Sequence, residues 1–170
     1  AVSRPASAAE RIARVAVFPV ENLSGGGVPA DQVRQYFIDR LTAEGLPVLD
    51  VNELDAFMAR HRIRYAAGID AGTADLLRKE TGADAALFVS IGYSSEMVPP
   101  KLSLVARLVS VRAAPVVVWA DDAALAGDEA PGLLELGVVN DYSVLLDRAL
   151  DKLGRSLTAH VATGAVATAA

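Results

Sequence analysis

The stretch ADAALFVSIGY, residues 83–93, decides the fold. Its first half is almost continuously apolar, a pattern typical of a strand that is buried on both faces of a sheet. Gly82 can end a helix directly before it, and residues 94–100, which contain two adjacent prolines, are predicted to form a loop after it. This stretch is therefore the expected central strand, with the other elements arranged around it.

Alternation of apolar runs and helical periodicity predicts the remaining elements. In chain order they are a strand at residues 14–20, a helix at 31–44, a strand at 46–51, helices beginning at Asn52 and at Thr73, the central strand, strands at 102–111 and 115–125, and a last helix over 139–157. Asn52 is the expected cap of the second helix, and Gly45 can end the first.

This order predicts an α/β fold. Helical crossovers join strands in parallel, and short connections join them antiparallel. We expect a mixed sheet of about five strands, parallel in its early part and ending in an antiparallel meander, with helices packed on it. The chain then divides into a flexible tether (1–13), a single domain (14–162) and a disordered tail (163–170). The leucines of the last helix either pack on the sheet or form a seam with a second copy.

Composition excludes several classes of protein. With 170 residues, of which 52% are hydrophobic, the chain contains enough apolar surface to fold, unlike an intrinsically disordered sequence. The formal net charge of −5 gives no global positive field that would attract DNA, RNA or an anionic membrane. The absence of cysteine excludes disulfides, thiolate nucleophiles and cysteine-based metal sites within these residues.

One candidate site is the glycine-rich segment between the first strand and the first helix, formed by Ser24, Gly25, Gly26 and Gly27. Backbone amides and a helix N-terminus at such a place could hold an anion. The segment lacks the Lys-Ser or Lys-Thr of a P-loop and the third glycine of a dinucleotide motif. The alternative is a flexible surface turn.

Two further segments are candidate contacts with a partner. The basic cluster RHRIR contains Arg60, Arg62 and Arg64, which could contact a phosphate, a carboxylate-rich partner or lipid headgroups. Alternatively, these cations complement the dipole of the preceding helix. The apolar residues Met97, Val98, Pro99 and Pro100 lie in the predicted loop, where they form an interaction patch if exposed and cover the core if folded back.

No catalytic constellation stands out. The two histidines, His61 and His160, lie far apart in sequence, and there is no G-x-S-x-G motif. His61 lies on the apolar stripe of its helix and is the expected packed histidine rather than a general base. The acidic residues around the last strand lack the spacing of a calcium loop. We expect no enzymatic activity, no cofactor and no metal site.

Four short motifs resemble one family. VAVFPVENLS (15–24) is similar to the family's first strand, LPVLD (46–50) to its next strand, TGADAALFV (81–89) to the entry into its central strand, and ARLVSVRAAPVVVWA (106–120) to its hairpin. The family comprises CsgG-like lipoproteins, the amino-terminal domain of TolB and LpoB-type activators of peptidoglycan synthases. Ala113, Ala114 and Pro115 replace the usual Thr-Gly turn of the hairpin.

The resemblance implies a non-enzymatic, periplasm-facing lipoprotein domain that binds or helps to assemble another envelope protein complex. It implies an outer-membrane anchor through a lipid on an upstream cysteine, no other membrane contact, and a monomer or weak homo-oligomer. No nucleic acid is an expected partner. The alternative hypothesis, from the residues alone, is an α/β module that binds a small molecule or nucleotide through residues 24–27 and 60–64.

Overall fold

A computed structural model describes residues 12–64, 68–129 and 138–163. Within them the elements are β1 (Val15–Val17), β2 (Glu21–Asn22), α1 (Ala30–Ala43), α2 (Val51–Arg60), α3 (Ala71–Thr81), β3 (Ala85–Ser95), β4 (Lys101–Ser110), β5 (Val116–Ala126) and α4 (Tyr142–Ala162). The predicted α/β class, with helices on a mixed five-stranded sheet, is confirmed. The predicted tether up to residue 11 and the tail after residue 163 lie outside the described residues.

The strand β3 is the centre of the sheet. The strand order is β1-β3-β4-β5, and the short strand β2 pairs with β3 beyond the end of β1. Both β1 and β2 run parallel to β3, whereas β3, β4 and β5 form an antiparallel meander. The prediction of an early parallel part followed by an antiparallel meander is therefore confirmed.

One predicted strand is wrong. Residues 46–51 form only a single parallel bridge, between Val48 and Val15. Pro47 has no N–H to donate to a ladder, and the Asp50 side chain accepts hydrogen bonds from the backbone of Asn52 and Glu53, which starts α2 at once. The cap of this helix is thus Asp50, not Asn52. The fifth strand is supplied instead by β2.

Two hydrophobic layers enclose the sheet. On one face α1 and α4 pack against β1, β3 and β4, and the leucines of α4 are buried there: Leu146, Leu150, Leu153 and Leu157. On the other face α2 and α3 cover Phe18 of the segment after β1 and Phe88 of β3, whose rings lie 4.7 Å apart. Of the two alternatives for the α4 leucines, packing on the sheet therefore holds, and a seam between copies does not.

Asp84 connects three segments at the end of the sheet where β1 begins. Its carboxylate accepts hydrogen bonds from the backbone N–H of Ala13 at 2.8 Å and of Arg14 at 2.9 Å. The Arg112 guanidinium, which follows β4, lies 2.6 Å from the same carboxylate. One partly buried acidic side chain thus fixes the starts of β1 and β3 and the end of β4.

The outer edge of β5 is blocked at its middle. Among the described residues, no strand pairs with the side of β5 that faces away from β4. The Asp122 N–H donates to the Asp121 side chain at 2.8 Å, and the Asp122 carbonyl accepts from Lys152 Nζ of α4 at 2.7 Å. Both backbone groups are therefore engaged within the chain, which protects an edge that could otherwise pair with another strand.

Removing both side chains should expose this edge. For the double variant Lys152→Ala, Asp121→Ala we expect a concentration-dependent rise in molar mass relative to the unaltered chain, measured by size-exclusion chromatography with light scattering. The matched control is Arg148→Ala, which removes another exposed cation of α4. A double variant with the same mass as the unaltered chain at every concentration would show that these side chains do not guard the edge.

Candidate functional site

The candidate contact segments are distributed between two ends of the sheet. At the hairpin end, β3 turns into β4 and β2 leads into α1; at the entry end, the chain joins β1, and α3 leads into β3. β3 has 11 residues. At a rise of about 3.3 Å per residue, the two ends lie roughly 36 Å apart. A partner held at one end therefore does not touch the other unless it is large.

The loop between β3 and β4 presents apolar side chains to solvent. Met97 is 80% exposed and Val98 is 69% exposed, and Pro99 is half-buried. Pro100 is buried, and its carbonyl accepts a hydrogen bond from Gly127 N–H at 2.8 Å, which fixes the base of the loop. Of the two alternatives for this segment, exposure therefore holds for Met97 and Val98, and Pro100 faces inward.

The glycine-rich segment is an ordered turn closed by Asn22. The Asn22 Oδ1 accepts hydrogen bonds from Ser24 N at 3.0 Å and Ser24 Oγ at 2.7 Å, and its Nδ2 donates to the Gly26 carbonyl at 2.7 Å. The Gly26 N–H donates to Ser24 Oγ. Gly25 has a φ of +70°, a conformation that favours glycine. Two of the amides that were candidates for anion binding are thus engaged within the turn.

The structure brings these two loops together. A Cβ placed on Gly26 would lie 3.5 Å from the carbonyl oxygen of Ser94, near the end of β3. The residues of the turn are about seventy positions from the β3–β4 loop in sequence, and they are adjacent because β2 pairs with β3. The hairpin end therefore joins two of the three predicted contact segments into one surface.

Two residues of this surface were not identified from the sequence. Leu23 is 64% exposed and Tyr93 is 53% exposed. Leu23 is an isolated apolar residue in a polar, glycine-rich loop, which is a usable signal. A β-bulge between Ile91 and Tyr93 moves Tyr93 to the face opposite Ile91, and Gly92 at the bulge was the only hint in the sequence.

We call Leu23, Tyr93, Met97 and Val98 the hairpin-end surface. They are the four most exposed large apolar side chains among the described residues. Exposed apolar residues that are grouped in one place are typical of interaction sites, whereas scattered ones need no explanation. The hairpin end is thus the strongest candidate for contact with another molecule.

The basic cluster lies at the entry end, and only some of its residues form ion pairs with described residues. Arg60 and His61 both contact Glu80 of α3, at 2.8 and 2.7 Å, and the His61 ring packs on Phe57. Hydrogen bonds from Arg60 and then His61 hold the pKa of Glu80 below its usual range. Arg62 and Arg64 are exposed, and no described residue forms an ion pair with them. Arg60 thus ties α2 to α3.

The two histidines lie on opposite faces of the sheet. His61 follows α2 and is bound to Glu80, as expected of a packed, hydrogen-bonded histidine. His160 lies in the last turn of α4, and its Nε2 is buried without a hydrogen-bond partner. Burial lowers the pKa of His160 below its ordinary value of 6.5. The structure therefore does not join the two histidines in one site.

Protonation of His160 should destabilise the fold. Because its pKa is lowered in the folded chain, the unfolded chain binds more protons as the pH falls below about 6.5, and acid favours unfolding. We expect the Tm to drop between about pH 7.5 and about pH 5.5, and the drop to be smaller for His160→Phe. Thermal unfolding followed by circular dichroism measures this. An equal drop in Tm for the unaltered chain and for His160→Phe would show that His160 does not cause the loss of stability.

In the described parts of the chain, no group of three or more His, Cys, Asp or Glu side chains is arranged to hold a metal ion.

None of the helices in the described ranges combines the length and apolar character needed to cross a bilayer.

Comparison with solved structures gives the relatives of this fold. Lipoprotein GNA1162 from Neisseria meningitidis matches with a TM-score of 0.56 and 19% identity, over 85% of this chain and 99% of that one. The LpoB C-terminal domain from Salmonella enterica matches with a TM-score of 0.55 and 17% identity, over 68% of this chain and 84% of that one. The chain has an LpoB-like fold.

A third protein with this fold is a dodecamer. The PelC dodecamer from Paraburkholderia phytofirmans matches with a TM-score of 0.52 and 15% identity, over 88% of both chains. No protein-family model and no curated protein sequence matches the chain. At these identities the comparisons establish the fold, and the function has to be argued from the surface.

Proposed function

We propose that this chain is a non-enzymatic, periplasm-facing lipoprotein domain that binds another envelope protein through the hairpin-end surface. The single observation that carries the proposal is the grouping of the four most exposed large apolar side chains at one end of the sheet. We further propose that the domain is related to CsgG-like lipoproteins and to the amino-terminal domain of TolB. We also propose that the domain is a monomer or a weak homo-oligomer.

The bonding at the hairpin end supports a preformed contact surface. Asn22 closes the turn that holds Leu23, and the Gly127 amide fixes the base of the loop that holds Met97 and Val98. On the same side, Ser94 Oγ and Tyr142 Oη of α4 are 2.8 Å apart. Apolar side chains on a backbone held in this way lose little conformational freedom on binding, which favours affinity.

The direction of the chain supports an anchored arrangement. Ala13 and Arg14 are bound by Asp84 at the entry end, so a lipid on a residue upstream would join the domain there. The hairpin-end surface lies at the far end of β3, at a distance of about 36 Å. An anchored domain would therefore present this surface away from its own membrane and toward a partner.

The alternative, an anion-binding or nucleotide-binding module, stays a weaker hypothesis. The amides of Ser24 and Gly26 are engaged in the turn, and the arginine cluster lies at the other end of the sheet. One ligand of nucleotide size could not contact both segments.

Substitution at the two ends separates the candidate contacts. For Met97→Ser with Val98→Ser we expect loss of partner binding, because two apolar side chains that become buried contribute about 3 kcal/mol together, or roughly a hundred-fold in Kd. The matched control is Arg62→Ala with Arg64→Ala, which we expect to bind like the unaltered chain. Affinity capture from detergent-solubilised envelopes, quantified by mass spectrometry, makes the measurement.

Three results would overturn this assignment. If the arginine variant loses the captured protein and the Met97, Val98 variant retains it, the contact lies in the basic cluster. If both variants retain it, neither end is the contact. If nothing is enriched over beads without the chain, the proposed binding function fails.

A further inference from the structure

The hairpin-end surface is surrounded by negative charge. In the loops at this end and the first turns of the adjoining elements, the described residues include one lysine, Lys101, and six carboxylates: Glu21, Asp31, Glu96, Asp128, Glu129 and Asp141. All but Glu21 are exposed. The excess of five negative charges is large for one end of a small domain, whereas arginines are grouped at the entry end.

These carboxylates have no cationic partner within the described residues. The ion pairs found among the described residues involve other acidic side chains, such as Glu80 and Asp84 at the entry end. Asp141 accepts hydrogen bonds from Ser143 as the cap of α4, and these bonds lower its pKa, so the group stays ionised. The rim of the hairpin-end surface therefore carries charge that the fold itself does not neutralise.

We propose that the partner of the hairpin-end surface is a protein segment in which apolar side chains are flanked by Lys or Arg. The proposal rests on the proposed function and specifies its partner. The apolar centre supplies contact area, and the carboxylate rim supplies charge complementarity, which selects the partner and speeds its approach. Nucleic acid, anionic lipid and nucleotides are repelled by the same rim.

A second copy of the chain does not fit the surface. A symmetric contact between two hairpin ends would bring both sets of carboxylates together, and like charges across an interface are unfavourable. Glu96 lies next to Met97 in the loop, so a contact between the two apolar centres would bring both Glu96 carboxylates into one interface. The observations thus favour a basic partner over self-association.

The test uses two amphipathic peptides with the same leucine positions, one with Lys and the other with Glu at the polar positions. In an NMR titration of the isotope-labelled full chain, we expect the Lys peptide to shift the amides of residues 21–27 and 93–99, and the Glu peptide to shift none. Raising the salt concentration from about 50 to about 500 mM should weaken binding of the Lys peptide, because salt screens exposed charge pairs.

Charge reversal gives the matched comparison. For Glu96→Lys, Asp128→Lys, Glu129→Lys we expect the Kd of the Lys peptide to rise by about ten-fold, summed over three exposed pairs. Glu44→Lys, which reverses an exposed carboxylate at the opposite end of α1, should leave the Kd unchanged. The variant Met97→Ser, Val98→Ser should also bind the Lys peptide more weakly, because it lacks the apolar side chains that supply the contact area.

Several outcomes would overturn the inference. These are equal binding of the Glu peptide, amide shifts centred elsewhere, an equal effect of Glu44→Lys, or a rise in mass of the chain alone that Met97→Ser, Val98→Ser abolishes. Its failure is distinguishable from failure of the proposed function. If the charge-reversed chain captures the envelope protein as well as the unaltered chain, and the Met97, Val98 variant does not, the binding function stands and the basic partner is excluded.

Discussion

Burial of β3 on both faces is the constraint on which the rest of the structure depends. Ala85, Leu87 and Val89 face α1 and α4, whereas Ala86 and Phe88 face α2 and α3. A strand with two apolar faces requires a layer of helices on each side. Because β3 also pairs with β1, β2 and β4, its direction sets which loops meet at each end of the sheet. The contact surface is a consequence of that pairing.

Features that depend on local sequence could be predicted. The apolar run of β3, the periodicity of α4 and the glycine that ends α3 gave the class of fold and the meander. The segment LPVLD was wrongly assigned as a strand because its apolar residues fit the pattern, yet Pro47 cannot donate to a ladder and Asp50 is needed as a cap. Two local effects, each short in range, outweighed the apolar pattern.

Features that depend on register could not be predicted. Tyr93 reaches the open face only because a bulge shifts the pairing of β3 with β4, and a shift of one residue moves a side chain to the other face. Leu23 and Met97 lie at the same end of the sheet because β2 pairs with the second half of β3. Both loops can be read from the sequence, but their common location cannot. The carboxylate rim is likewise assembled from loops that are distant along the chain.

Charge is distributed unevenly between the two ends of β3. The entry end is held by Asp84, Glu80 and their arginines, whose charges are largely paired. Within the described residues, the carboxylates of the hairpin end have no cationic partner and surround exposed apolar side chains. These ion pairs, which tie elements together, thus lie at one end of the strand, and exposed apolar side chains lie at the other.

The most direct test of the proposed contact surface is site-specific photo-crosslinking in cells that make the protein. A photoreactive amino acid is placed at Val98 in one chain and at Arg62 in another, both of which are exposed. We expect a crosslink to one envelope protein from position 98 and none to that protein from position 62. A crosslink to that protein from position 62 alone would contradict the placement of the contact at the hairpin end.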